Sequence, residues 1–200
     1  MDSLLSCCTS VKTEPDDAQM QVRPMGSQGM KASVQGFGCM GLTAFYGKAL
    51  DDEKAIAVME KAFQLGVTHY DTAEMYAGKD AAGNDKFNEE VVGKFVAKVG
   101  KDKVTVATKY FPSPDKADCK REVVRDALDR SLWKLGLEYV DLYYLHRIPS
   151  KELVNEGKCR YLGLSEATPE EIRLAHEIHP LTAVQQEWSL LIRNLEADVV

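Results

Sequence analysis

Long apolar runs are missing from this 200-residue chain. None approaches the roughly 18 residues a helix needs to cross a bilayer, so no membrane partner is expected. Positive charge is also short: 25 Lys+Arg stand against 31 Asp+Glu. With no basic stripe in addition, nucleic acid is not an expected partner. Cysteines number five (positions 7, 8, 39, 119 and 159), odd and scattered, without Cys-x-x-Cys spacing, and histidines number only four. That usage fits neither a disulfide framework nor a zinc site and points to a reducing, cytoplasmic setting with no metal. Residues 1–19 lack the cationic start and apolar centre of a secretory signal, and Asp16 and Asp17 argue against a transit peptide. The expectation is a disordered tail over 1–19 followed by one domain over 20–200.

What is present is a punctuated alternation of helix and strand. Gln21–Arg23 and Lys31–Gln35 flank a turn at Met25-Gly26-Ser27-Gln28-Gly29, which predicts a small leading hairpin. The next segment, Gly36-Phe37-Gly38-Cys39-Met40-Gly41, has the letters of the dinucleotide fingerprint G-x-G-x-x-G. That fingerprint needs its third glycine to open a helix, whereas here Leu42–Gly47 is loop-like and the helix begins near Asp51. A buried first strand is the better reading.

Asp51 then caps a helix along Ile56, Met59, Ala62 and Phe63 that stops at Gly66. Asn88-Glu89-Glu90 opens a second, carrying Val92, Phe95 and Val99 to Gly100; Asp118 caps a third, through Val124, Leu128 and Leu135 to Gly136. Thr168-Pro169-Glu170-Glu171 is a capping box with proline at the first helical position. Between them, strands are predicted to Asp71, over Val104–Lys109, Val140–Leu145, Tyr161–Leu164 and Ala183–Trp188, with a last helix from Leu195. The strand segments are apolar with little alternation, as in a parallel sheet covered on both faces. Ala77–Asp85, with Gly78 and Gly83, is expected as a mobile rim.

Polar groups recur where these strands end: Asp71 followed by Tyr76, then Lys109, then His146, then Ser165 with Glu166. The C-terminal ends of parallel strands are where α/β folds hold their chemistry. Reducing a carbonyl takes a hydride on carbon and a proton on oxygen, and a free phenol is a reluctant donor near neutral pH. An ammonium beside Tyr76 would ease release of its proton, and Asp71 would hold that ammonium in place. A histidine can orient the carbonyl oxygen and stabilise its growing charge.

These residues resemble the aldo-keto reductases, NADPH-dependent (β/α)8 barrels. The motifs Asp71-Thr72-Ala73-Glu74-Met75-Tyr76, Ala107-Thr108-Lys109, Asp141-Leu142-Tyr143-Tyr144-Leu145-His146, Gly157–Glu166 and Ala183–Trp188 occur in the family's order, most like its auxin-induced, perakine-reductase-like branch. The resemblance implies catalytic roles for Asp71, Tyr76, Lys109 and His146, with Tyr76 as the acid and a small carbonyl compound as substrate. It also implies that Ser165 and Gln185 hold the nicotinamide carboxamide of NADPH, with Glu166 standing where many members carry asparagine.

Only ten residues, Arg147–Glu156, separate His146 from Gly157, so the fourth helix is expected to be shortened. Val200 falls within the expected sixth helix. The expected fold is therefore an incomplete (β/α)8 barrel of about six strand–helix units, truncated at its C-terminus, with open sheet edges available for self-association. Two alternatives follow from that expectation: an inactive truncated form, and a non-enzymatic regulatory or interaction protein built on the same fold.

Overall fold

The computed structural model describes residues 20–112, 120–145, 156–197 and 199. The expected tail over 1–19, the Asp118 cap, His146 and most of the shortened fourth helix lie outside them. The described residues open with an antiparallel hairpin, β1 (Val22–Met25) and β2 (Met30–Ser33). Six parallel strands then follow: β3 (Phe37–Gly38), β4 (His69–Asp71), β7 (Thr105–Tyr110), β8 (Val140–Leu145), β9 (Cys159–Ser165) and β10 (Ala183–Gln185). A second small hairpin, β5 (Ala77–Lys79) with β6 (Asp85–Phe87), follows β4.

Every neighbouring pair in the six-stranded sheet is parallel, and the spatial order from β3 to β10 is the order in the chain. Sequential parallel strands with intervening helices are the layout of a (β/α)8 barrel, carried here through six strands. The sheet ends at β3 and β10, which have no further strand neighbour among the described residues.

Four helices were legible from their punctuation; the third begins at Arg121, with Lys120 rather than the expected Asp118 as its N-cap. In α1 (Asp52–Gln64) the Asp51 carboxylate accepts the Lys54 backbone N–H at 2.8 Å, and α2 spans Asn88–Val99. Helix α3 (Arg121–Leu135) ends at Gly136 in the left-handed region, φ 64°, a conformation that costs glycine little. In α4 (Pro169–Ile178) the Thr168 and Glu171 side chains cap each other's backbone as a reciprocal pair.

Alternation along the strands sends side chains to two different places. Tyr70, Val106, Tyr110, Tyr143, Leu145, Leu162 and Leu164 face outward into the main core with Val92, Phe95, Val96, Leu128 and Leu132 from the helices. Ala107, Leu142 and Tyr144 face the concave side, where Met30 of the leading hairpin packs on them.

That hairpin also sets the polarity of the barrel. The Gln28 amide donates to Pro180 O at 2.7 Å and accepts from Thr182 at 2.8 Å, while Ser33 and Thr68 exchange hydrogen bonds at 2.9 and 3.1 Å. These partners precede β10 and β4, so the hairpin covers the end where the strands begin. The end where they finish is left for the site.

Three further segments take a form the punctuation did not show. Ala77–Asp85, read as a rim, forms a hairpin whose turn is held by the Asp80 carboxylate, which accepts from Ala82 N and Asn84 N at 2.9 Å each. The last strand is Ala183–Gln185 only, because the chain leaves the sheet where the Gln186 amide donates to Ala167 O at 2.7 Å. The segment after Arg193 is a short 3-10 turn, Asn194–Ala197.

Candidate active site

Period-two geometry decides which side chains reach the concave mouth of the barrel. Lys109 lies two residues beyond the inward-facing Ala107 on β7, and it pairs in register with Tyr144. Ser165 lies two beyond Gly163 on β9 and pairs with Gln185 of β10. Asp71 closes β4 opposite Ala107. Residues separated by up to 114 positions in sequence are thereby collected at one pole.

Lys109 is the hub, with only 4% of its surface exposed. Its ammonium forms an ion pair with Asp71 Oδ1, donates to Thr72 O at 2.8 Å and donates to the Tyr76 hydroxyl oxygen at 3.3 Å. The charge also stands 4.9 Å from the centre of the Tyr76 ring. An ammonium carries three hydrogens, and here three acceptors receive them. Because Lys109 donates to the phenol oxygen, the phenol's own hydrogen remains free to point elsewhere. The second oxygen of Asp71 accepts from the Gln185 amide at 3.1 Å, which fixes the carboxylate from the far side of the barrel.

These groups open on a cavity of about 260 Å³ lined by Met40, Phe45, Ala73, Met75, Tyr76, Lys109, Phe111, Ser165, Glu166 and Gln185. The wall is mostly apolar, with a phenol, an ammonium, a hydroxyl, a carboxylate and an amide placed along it, the usual composition of a small-molecule site. Among the described residues, those with positive φ other than glycine are Phe45 (φ 66°) and Glu166 (φ 54°). Both line this cavity, and such backbone strain concentrates at functional sites. The Phe45 and Tyr76 rings meet in a T-shaped contact with 6.4 Å between centroids.

Of the residues predicted for the site, Asp71, Tyr76 and Lys109 form one hydrogen-bonded group, and Ser165 and Gln185 line the same cavity; His146 lies outside the described residues. Several contributors were not anticipated. Asn88 read as a helix start; it is fully buried, with its side chain turned into the fold. Tyr144 read as one of two adjacent strand tyrosines; alternation separates them, sending Tyr143 to the helices and Tyr144 inward beside Lys109, 5.9 Å from ring centre to ammonium. Glu74 is also held here, accepting from Phe111 N at 2.9 Å, and burial raises its pKa above the usual carboxylate range. No group of three or more metal-ligating side chains occurs among the described residues.

Residues 36–200 match the family model for the Aldo/keto reductase family. The chain belongs to that family. A "Probable aldo-keto reductase 1" from Glycine max is 42% identical over 200 residues, covering 92% of this chain and 56% of the relative. The chain therefore spans little more than half the length of that reductase. Among solved structures, a thermostable aldo-keto reductase in complex with the inhibitor epalrestat superposes with a TM-score of 0.74 at 25% identity, over 90% of this chain and 66% of that one. An aldo-keto reductase from Bacillus halodurans, in its holo form, gives 0.70 at 27% identity over 89% and 61%. Their fold identifies the six-stranded sheet as part of the reductase barrel.

Proposed function

We propose that this chain carries the site of an NADPH-dependent reductase of small aldehydes and ketones, with Tyr76 as the general acid. The observation that supports it most is the use of all three Lys109 hydrogens. With the ammonium donating to the phenol oxygen, Tyr76 can give its hydrogen only outward, toward the cavity. A positive charge at that oxygen favours the anion left behind once the proton has gone. Asp71, gripped by both Lys109 and Gln185, keeps the ammonium aimed.

The donor set fits the carboxamide of a nicotinamide. Ser165 offers a hydroxyl that both donates and accepts, and Gln185, its amide nitrogen engaged by Asp71, keeps its oxygen as an acceptor. When bound, reduced NADPH supplies the hydride. The chain's own residues orient the carbonyl, exclude water through Met40, Phe45, Met75 and Phe111, and hold the proton on Tyr76. His146 is assigned the hydrogen bond to the carbonyl oxygen by its resemblance to the family motif.

Residues 20–200 act in this reading as one oxidoreductase domain in a reducing, cytoplasmic compartment. Cys39 and Cys159 are both buried and free, and no helix of the described residues is long and apolar enough to cross a membrane. The test follows NADPH consumption with an aromatic aldehyde. Consumption by the chain that disappears in Tyr76→Phe supports the reading; equal rates in both, or none in either, overturn it.

A further inference from the structure

Tyr76 sits on a loop, and a loop alone does not hold a phenol at hydrogen-bond distance from a buried ammonium. What holds it is Asn88, the first residue of α2, which is fully buried. The Asn88 side-chain oxygen accepts from the Thr72 hydroxyl at 2.6 Å. Its two amide hydrogens go to Cys39 O at 2.8 Å and to the Thr43 hydroxyl at 2.7 Å. Its backbone N–H donates to Tyr76 O at 2.8 Å, and the Thr43 hydroxyl approaches the same carbonyl at 3.5 Å.

One side chain thus ties the segment after β3 to the segment after β4, while its backbone and its partner Thr43 hold the carbonyl of Tyr76. The amide orientation follows from chemistry, because Cys39 O can only accept. A buried amide with its oxygen and both hydrogens engaged rigidifies what it joins. No residue of similar volume reproduces one acceptor and two donors in this fork.

We propose that Asn88 is a positioning residue for Tyr76: it fixes the backbone that carries the phenol and so sets the phenol's distance from Lys109. The inference rests on the role proposed for Tyr76, so its test has one arm that needs turnover and one that does not.

In the first arm, Asn88→Ser and Thr72→Val are assayed in the full chain with NADPH and 4-nitrobenzaldehyde. A misplacement on the ångström scale lowers kcat by about 10- to 100-fold, with KM moving less than kcat. In a Tyr76→Phe background the same substitutions cause no further loss, since the group they position is gone. Equal losses in both backgrounds overturn the proposal, because Asn88 would then act on something other than Tyr76.

The second arm places 3-fluorotyrosine at position 76 and reads its 19F resonance without substrate. Wild type gives one sharp line, and each variant gives a shifted or split line while its unfolding transition stays cooperative. An unmoved line in both variants overturns the proposal even where turnover is seen. If wild type turns nothing over while the line still splits, the reductase reading fails and the positioning by Asn88 stands. Thr72→Val, which removes one hydroxyl from outside the helix, keeps the test decisive if Asn88→Ser does not fold.

Discussion

Tyr76 receives a hydrogen bond from Lys109 at 3.3 Å rather than giving one to it. In the role proposed for Tyr76, that direction leaves the phenol's hydrogen for a substrate and places a positive charge against the oxygen that would become anionic. Tyr76→Phe removes the transferable proton and leaves the ring in place. Loss of a positioned acid costs about 10²- to 10⁴-fold in turnover. Cofactor affinity, measured by quenching of protein fluorescence, should stay near that of wild type, because the phenol oxygen is what is lost.

The pair of Lys109 and Asp71 makes a separate prediction about stability. Their side chains are 5% and 15% exposed, so solvent screens them little. Lys109→Met strands the Asp71 carboxylate with, among the described residues, the Gln185 amide as its remaining partner. Removing one member of such a pair costs about 3 to 5 kcal/mol, read as a lower midpoint in urea unfolding. Adding Asp71→Asn should recover most of that loss, because a neutral amide needs no counter-charge. A double variant as unstable as the single one would mean that shape, not charge, dominates the site.

The sequence made the pole that carries the candidate site legible because its signals are local. Strand ends, helix caps and glycine stops are short patterns, and Asp71, Tyr76 and Lys109 stand next to them. Tyr144, Asn88 and Thr72 were not legible because their importance comes from register and burial, which link distant segments. In Tyr143-Tyr144 the two rings are chemically identical in sequence, and only the pairing of Lys109 with Tyr144 tells them apart. Asn88 precedes two acids and so reads as a helix start, yet its amide also joins the segment after β3 to the segment after β4. The Ala77–Asp85 segment showed only its glycines in the sequence; what shapes it is the Asp80 turn and a close approach, where a Cβ on Gly78 would lie 1.8 Å from Thr43 O.

Glu89 gives the pH prediction. Its side chain is buried between α2 and β7, accepts from Thr108 at 2.7 Å, and has Lys134, at 3.9 Å, and Arg130 as counter-charges. Burial raises its pKa above the ordinary 4.5. The folded state therefore binds a proton that the unfolded state releases, and stability falls as pH rises from about 4.5 through the raised value. Glu89→Gln cannot ionise and still accepts from Thr108. Urea unfolding at a series of pH values should give a flatter profile above pH 4.5 in the variant, and an unchanged slope would show that another group sets it.

Glu166 holds φ at 54° on the rim of the site. Glutamate is costly there, whereas asparagine tolerates the left-handed region through local hydrogen bonding. Glu166→Asn is expected to stabilise the fold by roughly 0.5 to 1 kcal/mol. For a chain of this size that is a rise of a few degrees in Tm by calorimetry. A lower Tm would mean that the carboxylate makes a contribution that outweighs its backbone strain.

Gly163 links packing to chemistry. A Cβ on it would lie 2.7 Å from two carbons of the Tyr144 ring and 2.9 Å from Ala183 O. The carbonyl belongs to the neighbouring strand and cannot retreat without opening the β9–β10 ladder, and Tyr144, 4% exposed, is closed in by its neighbours. Gly163→Ala must therefore press the ring toward Lys109, at a cost of about 1 to 3 kcal/mol for overpacking. Displacing the ring alters the surroundings of the ammonium that serves Tyr76, so turnover should fall together with stability. Adding Tyr144→Leu, which vacates the space the new methyl needs, should restore stability more fully than turnover. Recovery of both to the same degree would mean that Tyr144 fills volume and does nothing more for Lys109.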